Sequence, residues 1–198
     1  PLGRFSQLLG SGGVDGFFAL SGFLITASWL RNPRLREYLT ARALRILPGL
    51  YVCLIITAFV IAPVGVAIQG GSAKNLLMSA APIEYVVANS AVVVLKLDVG
   101  GTPRDVPYPG SWNNSIWTLI FEVACYLAVA AIGVVGLANR RWVSPTIFVI
   151  ALIGALLLPP LEHGETLITQ LPYAVVRFVM MFAAGAMLYQ FRDLLPAR

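Results

Sequence analysis

Five stretches of about twenty mostly apolar residues, at approximately 13–30, 46–68, 116–137, 143–160 and 171–191, constrain the fold of this chain more than any other feature. Crossing the hydrocarbon core of a bilayer takes about 20 such residues. Backbone polar groups inside lipid must be satisfied within the segment, so each stretch is expected as a helix. Composition agrees: 58% of residues are hydrophobic and 12% charged, against about 25% charged in an ordinary soluble domain. The expected fold is therefore an all-α integral membrane protein with about five transmembrane helices and a long outer loop, forming part of a helical bundle. No internal repeat divides residues 1–198, which read as a single domain.

Charge placement tests the count of spans. The net charge is +5, but all basic residues except Lys74 and Lys96 are arginines, and these fall mostly in short clusters beside apolar runs. That pattern fits orientation in a bilayer and gives no reason to expect nucleic acid as a partner. With five spans, the Arg31, Arg34, Arg36, Arg42 and Arg45 cluster, the Arg140–Arg141 turn, Arg192 and Arg198 share the inner side, while Glu162 and Glu165 fall outside. The stretch 76–97 would break this asymmetry if it spanned, and Pro82, Glu84 and Asn89 interrupt it. It is expected as an interfacial or re-entrant part of the outer loop. The loop continues irregularly to Ser115 through Gly100, Gly101, Pro103, Pro107, Pro109 and Gly110, residues that punctuate helices. Tyr108 and Trp112 there suit an interfacial aromatic belt or a sugar-stacking platform.

Three ionisable residues fall at a common depth. At about 1.5 Å rise per residue, Glu122 lies about 9 Å below an outer helix start at Ile116, and Arg177 about 9 Å below Leu171. Asp15 stands near the outer end of its own segment. A charge at such depth persists only with a partner or an aqueous cavity. Arg177 is therefore expected to pair with Glu122 or Asp15. Ser115, Thr118, Glu122, Cys125 and Tyr126 recur at three- and four-residue spacing and would form one polar helical stripe. A carboxylate flanked by hydroxyls suits general-base work on a hydroxyl, whereas Ser and Thr in lipid also serve as interhelical glue. Ala19, Gly22 and Thr26, in line with Asp15, suit close helix packing.

On the inner side, Arg42 and Arg45 stand three apart on a helix expected from Leu35 to Pro48, and so share a face. Guanidinium forks suit phosphate oxygens, although arginines here also set topology and meet anionic headgroups. Cys53 and Cys125 offer no disulfide framework or metal-ligand spacing. The single histidine, His163, lies between Glu162 and Glu165 and reads as a solvated loop residue; no metal site is expected.

Three segments together resemble the membrane acyltransferase-3 family: Gly13-Val14-Asp15-x-Phe17-Phe18-x-Leu20-Ser21-Gly22-Phe23-Leu24-Ile25, then Arg42-x-x-Arg45-Ile46-x-Pro48, then Asn114-Ser115-x-Trp117-Thr118-Leu119-x-x-Glu122. Residues 123–198 agree with it only as hydrophobic spans. The resemblance implies a multi-pass protein of the bacterial cytoplasmic membrane. It would move an acyl group, such as acetyl or succinyl, from cytoplasmic acyl-CoA (acetyl-CoA or similar) to a hydroxyl of an exported carbohydrate or glycolipid, with no permanently bound cofactor. Arg42 and Arg45 would hold the donor, Glu122 would act in catalysis with Asp15 supporting it, and Ser115, Trp117, Thr118, Tyr126 and Arg177 would line the acceptor side. The resemblance also implies a further helix bearing a catalytic histidine before Gly13, and more spans beyond residue 198. On that reading the chain is the central piece of such an enzyme, incomplete at both ends. The rival readings are a non-enzymatic carrier or flippase subunit, using the same buried charges as a pathway, and a catalytically inactive remnant. None of these patterns encodes an oligomeric state.

Overall fold

In the computed structural model, residues 2–104, 106, 109–158 and 167–194 are described, with backbone alone over 2–11, at 114 and over 167–170. Tyr108, Glu162, His163 and Glu165 lie outside the described residues. The described chain is helical, and its single β-bridge joins Val99 to Thr102. Helices α1 (Leu2–Arg31), α2 (Leu35–Ile56), α3 (Ala62–Ile68), α4 (Ala73–Met78), α5 (Ala81–Asn89), α6 (Leu119–Val134), α7 (Val143–Leu157) and α8 (Leu167–Gln190) follow in order. A π-helical turn, Thr57–Ile61, joins α2 to α3, and a 3₁₀ turn, Asn114–Thr118, precedes α6.

Four segments are long and apolar enough to cross a bilayer: Gly12–Arg31, Leu35–Ile68, Ser115–Val134 and Leu171–Gln190. The fifth expected span, at 143–160, is the apolar but shorter α7, 15 residues long. At about 1.5 Å per residue it covers about 22 Å, short of a hydrocarbon core about 30 Å thick. The stretch 76–97 holds no spanning helix, since α4 and α5 have 6 and 9 residues. Helix α1 starts well before the apolar window, so Asp15 sits within the helix and not near its end.

Two compact units are distinguished, Pro1–Leu39 with Phe121–Arg198, and Thr40–Ile120. In the first, α1 and α8 meet through reciprocal glycines. A Cβ on Gly22 would collide with the carbonyl of Phe182, and one on Gly185 with the carbonyl of Ala19. Such contacts let two backbones approach as larger residues cannot, which is how helices associate where lipid removes the hydrophobic drive. Ala19 and Gly22 thus serve the packing expected of them. Gly133 of α6 likewise makes room for the Trp29 indole, which meets the Tyr38 ring edge-on with centroids 5.1 Å apart. Outward-facing Ile150, Ile153, Leu156 and Leu157 on α7 are exposed, as expected of side chains that face acyl chains instead of water.

In the second unit, Leu50, Leu54, Ala58 and Ala62 form one buried stripe against Tyr85, Val99 and Ile116. Residues four apart on an α-helix drift by about 40° per step. The wider π turn at Thr57–Ile61, closed by the Ala62 N–H donating to the Thr57 carbonyl, takes up that drift and keeps the stripe facing one way. Pro48 lies inside α2 and does not end it, a departure from the boundary expected there. Buried Asn89 organises the loop that follows α5. Its amide nitrogen donates to the carbonyls of Lys96 (2.7 Å) and Tyr85 (3.0 Å), and its oxygen accepts from the N–H groups of Leu95 (3.0 Å) and Lys96 (3.2 Å). Trp112 is neither a belt residue nor an exposed platform. Its ring lies over Gly65, its Nε1 donates to the Thr102 hydroxyl (3.1 Å) and its backbone N–H to the Leu97 carbonyl (3.2 Å).

Candidate functional site

In the first unit, the charged residues of α1, α6 and α8 share one layer, held in register by aromatic rings. Phe178 stacks on Phe18 with centroids 4.3 Å apart and planes 7° from parallel. The same ring meets Phe121 at 5.3 Å. Phe18 is one turn from Asp15, Phe178 follows Arg177, and Phe121 precedes Glu122, so these contacts bring the three charge-bearing turns together. The common depth read from helix rise has its physical basis in these rings.

Within that layer Arg177 pairs with Asp15. Its Nε donates to Oδ1 at 2.8 Å and its Nη2 to Oδ2 at 2.5 Å. Both side chains are about one-fifth exposed. The two-pronged geometry matches the guanidinium fork to both carboxylate oxygens and offsets the cost of holding charge away from water. Asp15 is thereby engaged by a side chain, as is Arg177, which was expected to face an acceptor.

Glu122 is deeply buried and takes a different partner, accepting a hydrogen bond from the Tyr126 hydroxyl one turn along α6. Tyr126 is itself buried, and its backbone carbonyl accepts from the Tyr38 hydroxyl at 3.1 Å. Tyr126 therefore holds Glu122 in a fixed rotamer, and Tyr38 braces that turn of α6. Sequence reasoning missed Tyr38 because it stands beside Arg36 and Glu37 in what reads as a charged connection. It missed Phe178 because nothing marks one phenylalanine among many as the hub of a charge layer.

Of the polar stripe expected from Ser115 to Tyr126, Glu122, Cys125 and Tyr126 lie on α6, while Ser115 and Thr118 lie on the 3₁₀ turn before it, where residues three apart eclipse one another. The Asn113 carbonyl oxygen caps the Ser115 N–H at 3.1 Å, and the Thr118 hydroxyl donates back to the Ser115 carbonyl at 2.9 Å. Ser115 is exposed, and Trp117 and Thr118 are half-buried. Asn113 also donates to the Cys53 sulfur at 2.9 Å, fixing the turn to α2.

Arg42 and Arg45 both lie on α2 in the second unit, Arg42 half-buried and Arg45 exposed. The preceding connection is three residues long. It is closed by Arg34 and Asn32, which donate to the two oxygens of Glu37 at 2.9 and 2.6 Å, so the Glu37 charge is used locally. On the outer loop the Lys96 ammonium donates to Glu84 at 2.6 Å, and this raises the pKa of Lys96, with smaller contributions from the Glu84 and Asp98 charges. Burial, with the Cys53 thiolate as a lesser cause, pushes the Tyr85 hydroxyl up to about 12. Among the described residues no group of three His, Cys, Asp or Glu side chains is placed to hold a metal ion.

Helices of membrane-spanning length, a paired charge and a tyrosine-bound carboxylate in one apolar layer define an integral membrane protein with a polar centre at depth. A family model described as an acyltransferase domain, that of the acyltransferase-3 family, matches residues 2–198. The chain belongs to this membrane acyltransferase family. No curated protein and no solved structure matches it.

Proposed function

We propose that this chain provides the membrane-embedded part of an O-acyltransferase that moves a short acyl group from cytoplasmic acyl-CoA to a hydroxyl of an exported carbohydrate or glycolipid. Family membership supports acyl transfer in general. The observation that carries the finer reading is the Glu122 carboxylate, buried in lipid-spanning α6 and positioned by Tyr126. In this reading Glu122 receives or relays the proton of the acceptor hydroxyl. The hydroxyl oxygen forms a bond to the thioester carbonyl carbon, the carbon–sulfur bond breaks, and the sulfur leaves as a thiolate that takes up the proton to give free CoA. General base work of this kind contributes about 10²–10⁴-fold. Asp15 and Arg177 keep the layer polar and ordered. Arg42 and Arg45 hold donor phosphates, for which a guanidinium fork is suited. The membrane is the bacterial cytoplasmic membrane, and no bound cofactor is required.

The test is transfer of radiolabelled acetyl from acetyl-CoA to glycan in membranes carrying the chain, with Glu122→Gln as comparison. Labelled glycan that falls at least 100-fold in the variant, at equal protein level, supports the reading. Glycan that moves across the membrane without label supports a carrier and overturns it.

A further inference from the structure

Below the charge layer, α1, α6, α7 and α8 of the first unit enclose a cavity of about 100 Å³ lined by Thr26, Cys125, Val129, Ser144, Ala183 and Gln190, among others. Its α6 wall begins at Cys125, one turn from Glu122 on the same helical face, and ends at Ile132, about 10 Å further along the axis. At the inner end Gln190 closes it. The Gln190 Nε2 donates to the Ala138 carbonyl at 3.0 Å, and because a carbonyl only accepts, the remaining atom, Oε1, is an acceptor, buried and without a hydrogen-bond partner.

We infer that this cavity is the pocket for the acyl chain of the donor, and that it selects a short, neutral chain. The inference rests on the acyl-CoA reading above. Its position follows from chemistry at Glu122: an acyl group whose carbonyl reacts at that level has its tail one turn away, at the Cys125 end of the cavity. Its capacity follows from volume. A cavity of about 150 Å³ accepts the six carbons of benzene, so about 100 Å³ accepts about four carbons. Its selectivity follows from the lining. No lysine, arginine or histidine among the described residues borders it, and its polar atoms are neutral, the Thr26 and Ser144 hydroxyls and the Gln190 amide, so a terminal carboxylate such as that of succinyl would be buried without a counter-charge, a costly state. Acetyl to butyryl fit; succinyl does not.

The experiment measures the affinity of the whole chain, purified in detergent, for CoA and for acetyl-, propionyl-, butyryl-, hexanoyl- and succinyl-CoA. Burying one methylene is worth about 0.8 kcal/mol, so affinity should tighten about fourfold per added carbon as far as butyryl and gain nothing beyond it, with succinyl-CoA no tighter than CoA. Val129→Phe, which fills the cavity, should abolish the dependence on chain length and leave the affinity for CoA unchanged. Val129→Ala, which enlarges it with less risk to folding, should extend the gain to hexanoyl. Binding of CoA with no dependence on chain length in both the wild-type and Val129→Ala proteins overturns the pocket while leaving the donor reading intact; a cavity filled by a lipid tail gives this result. Failure of CoA and every thioester to bind overturns both.

Discussion

Removing one partner of the Asp15–Arg177 pair should cost far more than removing both. Asp15→Asn leaves the guanidinium of Arg177 about one-fifth exposed, beside Phe178 and without the carboxylate that takes two of its hydrogen bonds. Breaking a buried pair from one side costs about 3–5 kcal/mol, and the residual exposure places this one near the lower end, at about 3 kcal/mol. Arg177→Met should cost a similar amount by stranding Asp15. The double variant removes both charges and should recover most of the loss, because no uncompensated charge is then left at depth. The coupling between the sites, the excess of the two single losses over the double, should then be about 5 kcal/mol, above the usual range for residues in direct contact. Equilibrium unfolding of the four proteins in mixed micelles by a denaturing detergent measures it. A coupling under about 0.5 kcal/mol would mean that the pair holds nothing and that the argument from depth and charge is wrong.

Further outcomes are open to measurement. Gly22→Ala places a methyl against the Phe182 carbonyl and should destabilise the α1–α8 pair by about 1–3 kcal/mol, whereas Gly49→Ala, with nothing within 4 Å of the added carbon, should be neutral or slightly stabilising by the same unfolding assay. Asn89→Leu removes the three hydrogen bonds that fix Leu95 and Lys96. Amide exchange at those two positions should accelerate by at least tenfold while exchange in α2 stays unchanged. Tyr85, raised to about 12 by burial, ionises near 10 once unfolded. Its raised value therefore contributes stability that is fully present below pH 10 and is lost as pH rises from 10 to 12. An ultraviolet titration should show one tyrosine ionising near pH 12 that is missing from Tyr85→Phe.

What sequence could reveal here follows from what one dimension encodes. The common depth of Asp15, Glu122 and Arg177 was legible, because helix rise fixes depth once the loops are placed. Which of two carboxylates Arg177 would choose was not, since that depends on rotations set by the Phe18, Phe121 and Phe178 contacts. The 3₁₀ turn at the outer end of the polar stripe was not legible, because the Asn113 cap that starts it is a local hydrogen bond that three- and four-residue spacing does not encode. Pro48 misled in the opposite direction. A proline signals a helix end in water, but in a membrane segment the helix continues through it, since lipid offers the freed backbone no alternative. Asn89 looked like an interruption and is a clamp for the loop after it. Neither the cavity below Glu122 nor the bracing by Tyr38 leaves a periodic trace, because each is assembled from helices far apart in sequence.

The most direct test of the central claim measures acyl transfer from radiolabelled acetyl-CoA to membrane glycan by the wild-type chain, Glu122→Gln and Tyr126→Phe at matched expression. The account predicts loss of at least 100-fold in Glu122→Gln, a smaller loss of about tenfold in Tyr126→Phe, where the carboxylate remains but is no longer held, and normal unfolding behaviour in both. Full transfer by a stably folded Glu122→Gln protein would contradict it.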